Sequence, residues 1–282
     1  VTSPAAPGAT SAAHSLARRI VAALIMMPVV LGALWLGHPY WTILVAIAAG
    51  MMAWEWRRLT AAGAVGAIGW AMMALAALAV LLTGFGEVRL ALWVLGVGGS
   101  LLGLAAGLGE SPAGGGWAWL GTLYAGLPSL ALVWLRDDPA SGLATLLWLL
   151  FLVWAIDTAA YAAGKLIGGP KLVPRISPSK TWAGLAGGAA GAAIIGYLAA
   201  RWTGLPDPWL LTGLSLLLAL AEQAGDLFES AVKRRFGVKD SSGLIPGHGG
   251  ILDRVDGLVA VALIVAGFAL WGGGSPLAVW AP

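Results

Sequence analysis

Residues 143–164 read LATLLWLLFLVWAIDTAAYAAG. The first fourteen carry no charge, and then Asp157 appears. At about 1.5 Å per residue, a helix starting at Leu143 reaches Asp157 about 21 Å along, within a hydrocarbon core about 30 Å thick. A run this apolar and this long is a membrane span, and a carboxylate inside one must face the bundle interior, a cation or water. Eight comparable spans can be drawn around it, roughly 20–36, 41–56, 64–83, 88–108, 117–135, 182–200, 209–231 and 251–271. The second is short and the last two carry polar groups, so eight or ten spans also fit the pattern.

The composition agrees. The chain has 282 residues, 59% hydrophobic and only 10% charged, against roughly a quarter charged in soluble proteins. The expected fold is an all-α polytopic integral membrane protein of about nine transmembrane helices, with many of its 42 glycines serving close helix packing. Cysteine is absent, which excludes disulfides and thiolate metal sites. The basic balance sits in loops and points to anionic lipid or phosphate, with no nucleic acid implied. Residues 1–17 read as a flexible tail, 18–140 as a transmembrane scaffold and 141–282 as the region that carries chemistry. Trp35, Trp41, Trp117 and Trp134 lie near span ends, as interface anchors do. Glu55 and Glu110 read as polar groups at a helix end or loop, with a functional role as the alternative.

With the N-terminus in the cytoplasm, 13 of the 16 Lys and Arg fall in inner segments and only Arg89, Arg136 and Arg201 in outer ones. The positive-inside rule therefore gives that orientation. A helix starting near Trp209 places Glu222 about 20 Å and Asp226 about 26 Å along, in the inner half and near the inner interface.

Residues 226–256, DLFESAVKRRFGVKDSSGLIPGHGGILDRVD, hold more than a third of all charged residues. Glu222, Asp226, Glu229 or Ser230, and Lys233 share one helical face, and so do Asp253 and Asp256. Asp157, Tyr161 and Lys165 form a similar stripe. Mg²⁺ takes oxygen ligands, and Asp226, Asp253 and Asp256 are the natural set. Lys233, Arg234, Lys239 and Arg254 are placed to neutralise phosphates. Pro246, Gly247, His248, Gly249 and Gly250 break the helix and expose backbone N–H groups just before the next one, an anion site. A second basic loop carries Lys165, Lys171, Arg175, Ser177, Pro178, Ser179, Lys180 and Thr181, where the Ser and Thr can cap the following helix while holding phosphate. These residues point to metal-assisted phosphoryl or nucleotidyl transfer on a lipid at the cytoplasmic face. They do not choose the nucleotide or the lipid.

The segment SAVKRRFGVKDSSGLIPGHGGILDRVD, residues 230–256, resembles the signature of CDP-diacylglycerol synthases, also called phosphatidate cytidylyltransferases. Every specified position of that pattern matches, from Ser230, Lys233 and Arg234 through Lys239 and Asp240 to His248, Gly249, Gly250, Asp253, Arg254 and Asp256. Asp157 to Lys165 and Ser177 to Gly184 resemble the family's second region, with Ala183 and Gly169 departing from its usual residues. The resemblance implies that CTP and phosphatidate give CDP-diacylglycerol and pyrophosphate. It also implies Mg²⁺ on Asp226, Asp253 and Asp256, K⁺ beside it, a homodimer, and a bacterial-type inner membrane with the site facing the cytoplasm. Two rivals fit less of the chain. A CDP-alcohol phosphotransferase shares Asp253, Asp256 and Gly257 but needs Arg where Val261 stands. An ion or lipid transporter built on Asp157, Glu222 and Asp226 leaves the basic loops and His248 without a role.

Overall fold

A computed structural model describes residues 24–244 and 249–281. The expected tail, Arg18 and Arg19, and the loop residues Pro246, Gly247 and His248 lie outside the described residues. The chain forms α1 (Leu24–Leu36), then α2 (Tyr40–Thr60), α3 (Gly66–Gly84), α4 (Val88–Gly109), α5 (Pro112–Arg136) and α6 (Gly142–Leu166). A hairpin follows, β1 (Lys171–Val173) and β2 (Ser177–Thr181), and then α7 (Trp182–Thr203), α8 (Pro208–Arg235), α9 (Leu252–Gly272) and the short α10 (Pro276–Val279). Among the described residues, seven helices, α3 to α9, are long and apolar enough to cross a membrane. The chain is a helical multi-pass membrane protein, with α2 adding a 21-residue helix whose last turn carries Arg57 and Arg58.

Helix boundaries follow local chemistry. Ser111, Thr181 and Asp207 each cap a helix by accepting a backbone N–H with the side chain, and Pro112 and Pro208 occupy first-turn positions where no N–H is missed. Gly204 ends α7 in the left-handed region, at φ +75°. Large apolar side chains such as Trp93, Leu108 and Leu217 face outward, as expected where the surroundings are lipid rather than water.

The interior is close-packed through small residues. A Cβ added at Gly187 of α7 would lie 2.4 Å from the Ala163 Cβ of α6 and 2.8 Å from the Ala159 carbonyl oxygen. Only glycine lets these backbones approach so closely. Helices α2 to α5 pack on one another, α6, α7 and α8 pack in sequence, and α9 joins the halves by packing on both α8 and α5.

In the last turn of α2, buried Arg57 pairs with Glu110 in the α4–α5 turn, so Glu110 ties two helix ends together. Trp41 corrects its reading as an interface anchor. It is buried, and its indole N–H donates to the Leu132 carbonyl at 3.3 Å. Trp56, Tyr124 and Phe228 pack together across α2, α5 and α8, with Trp56 stacked on Phe228 and Tyr124 tilted against both.

Candidate active site

The buried stripe of α8 changes character along its length. It runs Leu211, Ser215 and Leu218, and then Glu222 and Glu229, with half-buried Asp226 between them. These residues recur every three or four positions and so stay on one face. That face meets the start of α9. The crossing is close because it is made at glycines. A Cβ on Gly225 would sit 2.8 Å from the Ala260 Cβ and 2.9 Å from the Asp256 carbonyl oxygen. One on Gly257 would sit 2.6 Å from the Glu222 Cγ.

The close crossing brings Asp226, Glu229 and Asp256 together, with one carboxylate oxygen from each within 4.8 Å of the others. Glu229 is 2% exposed. Beyond its ion pair with Lys233 at 2.5 Å, its oxygens have no hydrogen-bond partner among the described residues. Three carboxylates converging from two helices, with the Glu229 oxygens short of partners, are a fitting donor set for a hard divalent cation. Tyr124 of α5 contributes another buried hydroxyl without a partner among the described residues. Helical spacing puts Glu229 on this face, beside the expected ligands Asp226, Asp253 and Asp256 but not among them, and no motif in the sequence points to Tyr124.

Asp253 occupies a different environment. Its carboxylate pairs with Lys233 at 2.6 Å and accepts from the Ser241 N–H at 3.0 Å, the Ser241 hydroxyl at 2.9 Å and the Gly250 N–H at 2.8 Å. The three converging carboxylates are those of Asp226, Glu229 and Asp256, and Asp253 is not among them. Lys233 bridges Glu229 and Asp253 and so joins the two sets.

Among the described residues around the start of α9, three backbone N–H groups meet carboxylates of the protein. Gly250 donates to Asp253, while Ile251 and Leu252 donate to Glu55 at 2.9 and 2.8 Å. Helix-start amides attract negative charge, and here two carboxylates of the protein supply it. Gly249, at φ +84°, and Gly250 are required by this fit. A Cβ on either would fall within 2.6 Å of a Ser or carboxylate oxygen.

The second basic loop is the β1–β2 hairpin, in which Lys171 pairs with Thr181 and Val173 with Ser177. The hairpin faces the acids. Lys180 forms an ion pair with Asp226, and Arg234 of α8 donates to the Ile176 carbonyl at 3.3 Å. Between hairpin and helices lies a cavity of about 350 Å³. Its walls include Asp157, Tyr161, Lys165, Ser179, Lys180, Thr181, Glu222 and Asp226. Ser177 lies beside Ser179 at 3.4 Å between hydroxyl oxygens, and Ser230 donates to Asp226 at 3.3 Å. Lys171, Lys239, Asp240 and Arg254 are exposed near this end and do not line the cavity. A pocket with acids for a cation and lysines for phosphate is equipped for phosphate-transfer chemistry.

The cytidylyltransferase family model matches residues 17–270. The chain belongs to the cytidylyltransferase family. It is 42% identical over 257 residues to a phosphatidate cytidylyltransferase of Brucella suis, covering 89% of this chain and 92% of that protein. It is 36% identical over 272 residues to the phosphatidate cytidylyltransferase of Pseudomonas aeruginosa, covering 92% and 98% respectively. A Haemophilus influenzae relative of the same name is 44% identical over 142 residues, about half of each chain. This member of the family is therefore a membrane-embedded nucleotidyltransferase, and the acid and lysine pocket is its candidate active site.

Proposed function

We propose that the protein is a phosphatidate cytidylyltransferase, converting CTP and phosphatidate to CDP-diacylglycerol and pyrophosphate. The observation that carries this reading is the pairing of Lys180 with Asp226 of the three-carboxylate group, within a bundle of apolar helices. The names of the relatives support the choice of nucleotide and lipid.

A phosphate oxygen of phosphatidate attacks the α-phosphorus of CTP, and the bond from that phosphorus to the bridging oxygen of the β-phosphate breaks. Pyrophosphate leaves with the electron pair. The nucleophile is already ionised, so no side chain need remove a proton. The chain has three tasks. Lys180, Lys165 and Lys233 offset phosphate charge. Ser179 and Thr181 offer hydroxyls to phosphate oxygens. The buried helix faces hold the reactants in line and exclude water, which lets positioning contribute strongly to rate. Asp226, Glu229 and Asp256 are the residues that would hold Mg²⁺, with K⁺ beside it. The bound ion would polarise the phosphoryl oxygens and neutralise developing charge.

The distribution of Lys and Arg supports a cytoplasmic site and a cytoplasmic N-terminus. The bacterial relatives support placement in an inner membrane. The division into scaffold (18–140) and catalytic region (141–282), and assembly as a homodimer, belong to the same proposal. The test uses purified protein in detergent with labelled CTP, phosphatidate and Mg²⁺. Labelled CDP-diacylglycerol is expected, and chelation of the metal should abolish it. Folded protein that forms no such product overturns the proposal.

A further inference from the structure

Glu55 sits near the inner end of α2, far in sequence from the α8–α9 site, and is fully buried at 0% exposure. Its carboxylate accepts from the Ser242 hydroxyl at 2.6 Å, the Ile251 N–H at 2.9 Å and the Leu252 N–H at 2.8 Å. The Ser241 hydroxyl stands between two carboxylates, 3.3 Å from Glu55 and 2.9 Å from Asp253, with a single proton that can serve either. Residues on both sides of 243–250 thus meet one side chain from the other half of the protein.

The chemistry explains why a carboxylate stands there. The first amides of a helix have no carbonyl within the helix to bond, and the positive end of the helix dipole favours an anion. An ionised carboxylate only accepts and has about four lone-pair sites, so it can serve two amides and two hydroxyls together. The fit is tight, since a Cβ on Gly250 would lie 2.4 Å from Glu55 and 2.0 Å from the Ser241 hydroxyl oxygen. From Ser241 the contacts continue through Asp253 to Lys233 at 2.6 Å and on to Glu229 at 2.5 Å. Glu229 belongs to the three-carboxylate group.

We propose that Glu55 is a positioning residue for the reaction. From α2 it sets the place of Ser241, Ser242 and the first turn of α9, and through Ser241 and Asp253 it sets the seat of Lys233 beside the acids. This rests on the reading of the α8–α9 end as the reaction site. It also gives the N-terminal helices a role in the chemistry beyond scaffold.

The experiment compares the full-length wild type with Glu55→Gln, Ser241→Ala and the double variant, each checked for folding by its elution profile and circular dichroism. Gln keeps the size and one acceptor oxygen but replaces the other with a donor. Glu55→Gln is expected to lower kcat about tenfold or more, with the KM for CTP changed by less than about threefold. Because Glu55 and Ser241 act in one chain of contacts, the double variant should lose clearly less than the product of the single losses. A second measurement needs no turnover. In Glu55→Ala the amides of Ile251 and Leu252 should exchange hydrogen about tenfold faster than in wild type. If Glu55→Gln does not fold, Ser241→Ala with Ser242→Ala breaks the hydroxyl contacts from the opposite side and should show the same loss of kcat. Wild-type kcat in folded Glu55→Gln or in the serine pair, losses that simply multiply, or unchanged amide exchange would each overturn the inference. A wild type without cytidylyl transfer would instead overturn the proposed function, while the exchange arm would still read the Glu55 contacts.

Discussion

Gly225→Ala adds one methyl group at the crossing of α8 and α9, next to Asp226. The new Cβ would lie 2.8 Å from the Ala260 Cβ and 2.9 Å from the Asp256 carbonyl oxygen. Ordinary contact begins at 3.4 Å, and neither neighbour is the loose end of a flexible chain. The helices must therefore part locally by about 0.5 Å, and an error of about 1 Å in reactant placement can cost about 10²-fold in rate. Half that error corresponds to about a tenfold fall in kcat, or about 1.4 kcal/mol of activation free energy. The same overpacking should destabilise the bundle by about 1–3 kcal/mol. The assay is the initial rate of CDP-diacylglycerol formation at saturating substrates, with thermal unfolding in the same detergent. Gly213→Ala is the control, because it lies on the same helix, exposed, with nothing within 4 Å of an added Cβ. It should leave the rate unchanged and the helix no less stable. If Gly225→Ala matches this control in both rate and stability, the close crossing does not position the carboxylates and the reasoning fails.

Lys180→Ala removes the cation that pairs with Asp226 in the cavity wall. The KM for CTP should rise on the order of tenfold, with a smaller change in kcat; unchanged kinetics would reduce the hairpin to a headgroup anchor. Lys233→Met leaves Glu229 and Asp253 as buried carboxylates without their shared cation. It should destabilise the protein by about 3–5 kcal/mol, read as a lower unfolding midpoint in detergent, while Lys233→Arg should recover part of that loss.

The sequence by itself determined the class of fold. Long apolar runs with few charges allow only helices that satisfy their own backbone in lipid, and the distance of Asp157, Glu222 and Asp226 along their helices follows from helical rise alone. The acid face of α8 was legible for the same reason, since spacing of three and four along a helix is a local property. The motif in residues 230–256 carried the family.

Three features had to wait for the tertiary structure, because each depends on which helices cross and how closely. Glycine at Gly225 and Gly257 lets α9 approach until Asp256 joins Asp226 and Glu229, whereas Asp253, three residues away on the same helix, turns to Lys233 and Ser241. The hairpin bends back so that Lys180 reaches Asp226, a long-range pairing that loop composition does not encode. Glu55 lies 186 residues before Ser241, and nothing in its local sequence separates a helix-end carboxylate from one that holds the start of another helix. Helical periodicity is written into neighbouring residues, while the meeting of distant carboxylates is decided by the packing of small residues across helices.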